Sequence, residues 1–472
     1  MSEDARDFLD EEEVIEALDR FKESIISGKK LYFDISLFEG IIDYLLEEGD
    51  IETSEAAASQ AIHIHPNSVQ LKVKHAQVLL NKGDAKEALT NLKNVEKIEN
   101  NNPDIHLLKG TAYTIEGDVK SAVKAFDLAA KYATDEVDDI YYHIGTSLIH
   151  AGEIKLAVNY LEKGYKANPE NESVLYELGF FYDQLGQSET SVIFYNKYLD
   201  IDPFNNTVWY NLGITLNKLE RYDEALNAYN YALTLNEKLH QAVFNKANTY
   251  ANMGRFQDAI TYYKEYLEGD PNNDEAYCYI GECYLNLFDN LKALKHYQKA
   301  IRINQENDNA WYGSGLIMWL EKRFQESIVF IKKAIKIDDS ISDYWFSISK
   351  VYVDEKLPEK AVSALEKALE LEPDNSEIWF FYAETMHEAD DNIAAIEILK
   401  RGAKINRYNA NLKYLLTAYL LEMENEKEAY RTFEKALKLD FIQHNEIFTL
   451  YPKASKNKKI IQLIKKHKPL SS

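Results

Sequence analysis

Apolar residues recur along this chain in two alternating helical phases. Trp209, Leu212, Gly213 and Leu216 stand at i, i+3, i+4 and i+7, the spacing that puts four residues on one face of a helix. A break follows at 219–221, and Ala225, Tyr229 and Ala232 then repeat the spacing on a second helix. Further on, Tyr277, Ile280, Gly281, Tyr284, Ala293, Tyr297 and Ala300 occupy the equivalent places. The pattern predicts pairs of short helices, each with one apolar stripe.

These pairs recur at a fixed period. Glycine ends the first helix at Gly49, Gly83, Gly117, Gly152, Gly186 and Gly254, with spacings of 34, 34, 35, 34 and 68 residues. Steps of 34 from Gly254 reach Phe288, Lys322, Lys356, Asp390 and Glu424, where glycine is gone but the surrounding pattern persists. The one extra residue falls in a longer loop at 134–138. Twelve units result, from about Ser36 to about Lys438, and a period of this kind means stacked helical pairs, none able to bury its apolar face alone. Five residues after each anchor stands a small residue: Ser54, Ala88, Ala122, Ala157, Ser191, Ala225, Ala259, Ala293, Ser327, Ala361, Ala395 and Ala429. Small side chains there mark the closest approach of the two helices of a hairpin, with Gly110, Gly145, Gly179, Gly213, Gly281 and Gly315 facing them from the first helix. Pro66, Pro169, Pro203, Pro271 and Pro373 close the second helix, and Asp270, Asn272, Asp374 and Asn375 offer turn and capping oxygens beside them.

Together these residues resemble the tetratricopeptide repeat family. Its pattern of Trp-x2-Leu-Gly-x2-Tyr, then Ala-x3-Phe, then Pro, is carried piecewise: Leu178, Gly179, Tyr182, Tyr195 and Pro203 in the fifth repeat, Trp379 and Ala395 in the eleventh. Lys72 and Lys413 depart from it where a bulky aromatic is expected, as does Ile42 where Gly or Ala is. The resemblance implies an all-α, right-handed superhelical solenoid whose first helices line an inner, concave surface. About twelve helix-turn-helix repeats are expected at residues 35–440, between an acidic segment and capping helix at 1–34 and a capping helix with a lysine-rich tail at 441–472. Val14, Ile15, Leu18, Phe21, Ile25 and Ile26 form the stripe of the first cap, and Ile447, Leu450, Tyr451, Ile460, Ile461 and Ile464 are the apolar residues of the last.

Composition narrows the function. Against 78 Asp and Glu the 472-residue chain has 54 Lys and Arg, a net charge of −24, which argues against nucleic-acid binding over most of its surface. Only two cysteines occur, and the first 20 residues are acidic rather than a basic signal start, so a soluble cytoplasmic protein is expected. Enzyme motifs fail individually. Ser27, Gly28 and Lys29 look like the end of a phosphate loop, but Glu23 stands where its first glycine must be. Gly313 and Gly315 precede Met318 instead of a third glycine. Cys278 and Cys283 are about 140° apart around one helix, and His63 with His65 lacks nearby ligand partners. No catalytic set, metal site or cofactor is expected.

What remains is a surface. One position after the first core residue, on the face the resemblance makes concave, stand Tyr142, Tyr176, Tyr210, Phe244, Cys278, Tyr312, Phe346, Phe380 and Tyr414. Such a ladder either packs against the neighbouring hairpin or offers flat faces on which a partner segment stacks. Asn211, Asn217, Asn245, Asn248, Asn252 and Asn286 add amides able to pair with a peptide backbone, so repeats four to eleven are expected to bind a peptide or helix of a partner protein, neutral to basic in charge. Family members that clamp a C-terminal carboxylate use Lys where this chain has Tyr or Phe, which argues against an acidic tail as partner. An alternative role lies in Lys453, Lys456, Lys458, Lys459, Lys465, Lys466 and Lys468, a basic end that could dock on the ribosome, RNA or an anionic membrane, or simply cap the last repeat.

Overall fold

The structure, a computed structural model, describes residues 11–27 and 31–468. The acidic start at 1–10 and the phosphate-loop resemblance at 28–29 lie outside the described residues. Among the described residues every regular element is helical, and no helix is long and apolar enough to cross a membrane. Between Ile35 and Leu439 run twelve antiparallel hairpins, with first helices of 13 or 14 residues and second helices of 12 to 14. The chain divides into two compact units, Met1–Ala242 and Val243–Ser472, the division falling inside helix His240–Asn252. Within each, the hairpins stack in sequence as an α-solenoid.

Every anchor position is left-handed. Gly49, Gly83, Gly117, Gly152, Gly186 and Gly254 have φ between 72° and 93°, and Glu220, Phe288, Lys322, Lys356, Asp390 and Glu424 have φ between 55° and 64°. At each, the following N–H reaches back five residues to a helix carbonyl, as Asp84 to Leu79 (2.8 Å) and Asp289 to Tyr284 (2.9 Å). This terminus ends the helix and reverses the chain whether or not glycine is present. The longer loop at 134–138 adds one more left-handed residue, Glu136.

The small position is fully buried in all twelve hairpins. Ser191 and Ser327 donate to the carbonyls of Gly179 and Gly315 (2.6 and 2.8 Å), so the two helices meet there. The glycines do more than face that residue: a Cβ at Gly110, Gly145 or Gly213 would stand 2.2, 2.7 or 2.5 Å from Phe126, Leu161 or Tyr229, four residues past the small position. Each glycine makes room for a bulky apolar or aromatic side chain of the second helix. The asparagine that caps the next first helix follows the proline, as Asn205 accepts from the Thr207 and Val208 N–H groups (3.1 Å each); in the eighth repeat it is Asn273, not Asn272.

Both ends are capped. Helix Glu11–Ser27 buries Val14, Ala17, Leu18 and Phe21, while Ile15, Ile25 and Ile26 of the expected stripe are exposed. At the other end, short helical turns lead to helix Lys458–His467, which buries Ile460 and Leu463 against the last repeat.

Candidate functional site

Most first helices of successive repeats touch one another within each unit, whereas the second helices of successive repeats do not come as close among the described residues. The first helices therefore line the tighter side of each stack. Their ladder residues sit at the seam between repeats. Tyr142, Tyr176, Tyr210, Phe244, Tyr312 and Phe380 are half-buried. The Tyr176 hydroxyl accepts from Asn211 Nδ2 (3.3 Å), and that of Tyr312 pairs with Ser347 Oγ (2.8 Å), so the rungs are stitched to the following repeat. Phe244 meets the rings of Tyr263, Tyr266 and Tyr279 at 5.6, 5.0 and 5.8 Å.

Three ladder positions do not offer an open face. Phe346 is only 6% exposed, set against the Phe381 ring with the Lys350 ammonium 3.8 Å above it. Cys278 and Tyr414 are also buried, the Tyr414 hydroxyl donating to the Asp440 carbonyl (2.6 Å). The expectation of Phe346 as a contact surface is thus corrected: the next first helix covers it. Large aromatics do reach solvent on first helices at Phe180 and Tyr279, neither of them ladder residues.

The asparagines divide in the same way. Asn248 receives the Tyr263 hydroxyl and donates to Asn245 (3.4 Å), and Asn286 donates to the carbonyl of Glu282 in its own helix (3.0 Å). Asn252 is exposed on the last turn of its helix. Amides expected to meet a peptide are therefore partly engaged with the tyrosines beside them.

Charge on this face was not anticipated residue by residue. Glu39, Glu177, Glu282 and Glu384 all lie on first helices, and burial pushes each carboxyl up from its ordinary range. Glu39 occupies the ladder position of the first repeat, and Glu282 lies one turn beyond Cys278, so periodicity alone could have found them.

Elsewhere the candidate chemistry has structural uses. The Cys278 and Cys283 thiols are free and buried, and burial raises both, Cys283 to about 12. His65 Nε2 donates to the Phe33 carbonyl (2.9 Å), tying the cap to the first hairpin. Gly313 and Gly315 lie within helix Asp308–Leu320, against Tyr297 and Ile331. Among the described residues, no three His, Cys, Asp or Glu side chains converge as metal ligands. In the lysine-rich end, Lys466 and His467 both contact Glu434 Oε1 (2.8 and 3.0 Å), holding that carboxyl down at about 2. Lys453, Lys456, Lys458, Lys459, Lys465 and Lys468 are exposed.

Models of the tetratricopeptide repeat match residues 73–136, 138–171, 172–205, 207–239, 244–308 and 352–419, together more than half of the chain. No protein of curated function matches the sequence. Among solved structures, yeast Tom70 is similar at 15% identity and TM-score 0.42, over 80% of this chain and 96% of its own. A tetratricopeptide repeat protein of Parabacteroides merdae is similar at 18% identity and TM-score 0.40, over 54% of this chain and 98% of its own. MamA is similar at 25% identity and TM-score 0.34, over 34% and 95% respectively.

Proposed function

The chain belongs to the tetratricopeptide repeat family, and from that premise we propose that it is a non-catalytic scaffold whose first-helix face receives a peptide or helix of a partner protein. The observation that carries this reading is the union, on the tighter side of each stack, of exposed aromatics with carboxylates (Phe180 with Glu177, Tyr279 with Glu282). Rigid rings give contact area at little entropic cost, and amides and carboxylates give orientation. The contacts fall to Tyr142, Tyr176, Tyr210 and Asn211 in the first unit and to Phe244, Asn245, Asn248, Asn252 and Tyr312 in the second, joined by Phe180 and Tyr279. A neutral or basic segment suits a face with these acids in a chain of net charge −24.

The lysine-rich end is read as a cap, because its apolar side is buried on the last repeat and Lys466 is paired with Glu434. No observation of its own favours the ribosome, RNA or a membrane as its target.

Selection of displayed random peptides on the whole chain tests the proposal. Enriched peptides should lose binding to the Asn211→Ala, Asn245→Ala, Asn248→Ala triple variant and keep it in a variant altered only on second helices. Peptides that bind the triple variant as well as the parent would discard the first-helix assignment.

A further inference from the structure

Tyr297, on the second helix of the eighth repeat, is 3% exposed. Its ring lies between two backbones: a Cβ at Gly281 would stand 2.8 Å from Cδ1, and one at Gly313 would stand 2.3 Å from Cζ. Beyond that ring, the hydroxyl forms no hydrogen bond to any described residue. The equivalent tyrosine of the preceding repeat is satisfied. Tyr263 donates to Asn248. In the frame of Tyr297 the place of Asn248 is taken by Glu282, which does not bond to it. That partner is absent here, and Tyr297, without a protein partner for its hydroxyl, borders the space beyond the ring.

That space is a cavity of about 510 Å³ lined by Tyr297, Gly313, the rings of Tyr279 and Tyr312, and five carboxylates. Those are Asp274, Glu275, Glu282, Glu306 and Asp308, and no Lys, Arg or His lines the cavity. Asp274 is fixed by the amides of Asn304 and Asn307 (3.0 and 2.8 Å), and Asp308 by the Tyr344 hydroxyl (2.7 Å). Glu275, Glu282 and Glu306 belong to no ion pair among the described residues. Since these acids do not converge as metal ligands, they suit a larger, flatter cation.

We propose that this cavity receives the side chain of an arginine from an extended partner peptide. A guanidinium has five donors and no acceptor, so it can bond carboxylates on its edges while donating to the Tyr297 hydroxyl oxygen. That hydroxyl can in turn donate to a neighbouring carboxylate. Tyr279 and Tyr312 offer faces for the guanidinium plane. The inference rests on the reading of the first-helix face as the binding surface and names one residue of its occupant.

Fluorescence anisotropy on the full chain tests it with a fluorescein-labelled peptide, Gly-Ala-Arg-Ala-Gly, and with its neutral isostere carrying citrulline. The arginine peptide should bind about tenfold tighter than the citrulline peptide, and Glu282→Gln should remove most of that difference. Tyr297→Phe, which keeps the buried ring, should weaken arginine binding about fivefold while leaving the melting temperature unchanged or higher. Glu237→Gln, an equal loss of charge on an exposed site in the other unit, should change nothing. Equal binding of the two peptides, or equal effects of Glu282→Gln and Glu237→Gln, overturns the proposal. The two readings fail separately. Selected peptides that still depend on the first-helix asparagines, beside an arginine peptide indifferent to Glu282, would sink the cavity alone. Selected peptides indifferent to those asparagines, beside an arginine peptide dependent on Glu282, would sink the wider assignment alone.

Discussion

The ammonium of Lys413 donates to the carbonyl of Arg407, six residues earlier, at 2.8 Å. In other repeats that bond comes from an aromatic ring: Trp209 to Pro203, Trp311 to Gln305 and Trp345 to Asp339 at 2.9 Å each, Trp379 to Pro373 at 2.8 Å, and His106 to Asn100 at 2.8 Å. Lysine here makes the bond that tryptophan makes elsewhere, whereas Leu175 and Val243 hold the same position in the fifth and seventh repeats without a donor. Lys413→Met should leave the Arg407 and Asn409 carbonyls without this donor and lower stability by about 1–3 kcal/mol. Lys413→Trp should keep most of the stability. Urea unfolding monitored by circular dichroism compares the three.

Gly179 meets the ring of Tyr195 so closely that a Cβ would stand 2.6 Å from Cε1. Gly179→Ala should therefore force the fifth hairpin apart and destabilise the chain by about 1–3 kcal/mol. Hydrogen exchange should show the loss first in helices Glu172–Gln184 and Ser188–Ile201. Unchanged protection there would mean the hairpin does not depend on this contact.

Phe288 holds φ at 59° while 92% exposed, so its ring returns no burial for the backbone strain. Phe288→Gly should raise stability by about 1 kcal/mol, read as a higher melting temperature. The same exchange at Gly254, already glycine at φ 72°, is where the reverse substitution Gly254→Phe should lower it by a similar amount.

His296 stacks between Tyr277 and Tyr284, at 6.0 and 5.4 Å, with its Nδ1 buried and unpartnered among the described residues. Burial, then the charges of Lys264 and Lys295, hold its imidazole down at about 4. An unfolded histidine titrates near 6.5, so between about pH 6.5 and 4 the unfolded chain takes up a proton that the folded chain refuses. Stability from this group is full above that window and falls as pH drops through it. His296→Phe keeps the stack and should lose less of its urea midpoint than the parent between pH 7.5 and pH 5.

Much of the fold was legible because stacking repeats the same demand twelve times. The left-handed turns could be placed at Phe288, Lys322, Lys356, Asp390 and Glu424 without a glycine to mark them, since the period carries the information. The small residue of each hairpin was likewise found, but not that the first-helix glycine makes room for a bulky side chain four residues past it. The surface was less legible. A first-helix residue at a seam reads the same in sequence whether the next repeat covers it, as at Phe346, or leaves it partly open, as at Tyr176. The Tyr297 cavity is lined from two repeats, and neither Gly313 nor Glu282 signals it alone.

Photo-crosslinking of a selected peptide tests the central claim most directly. A photoreactive phenylalanine placed at Tyr279 or Phe180, exposed on first helices, should capture the peptide, while one at Tyr231 or Phe204, exposed elsewhere, should not. Capture from Tyr231 or Phe204 with none from Tyr279 or Phe180 would put the partner on the wrong side of the stack and contradict the account.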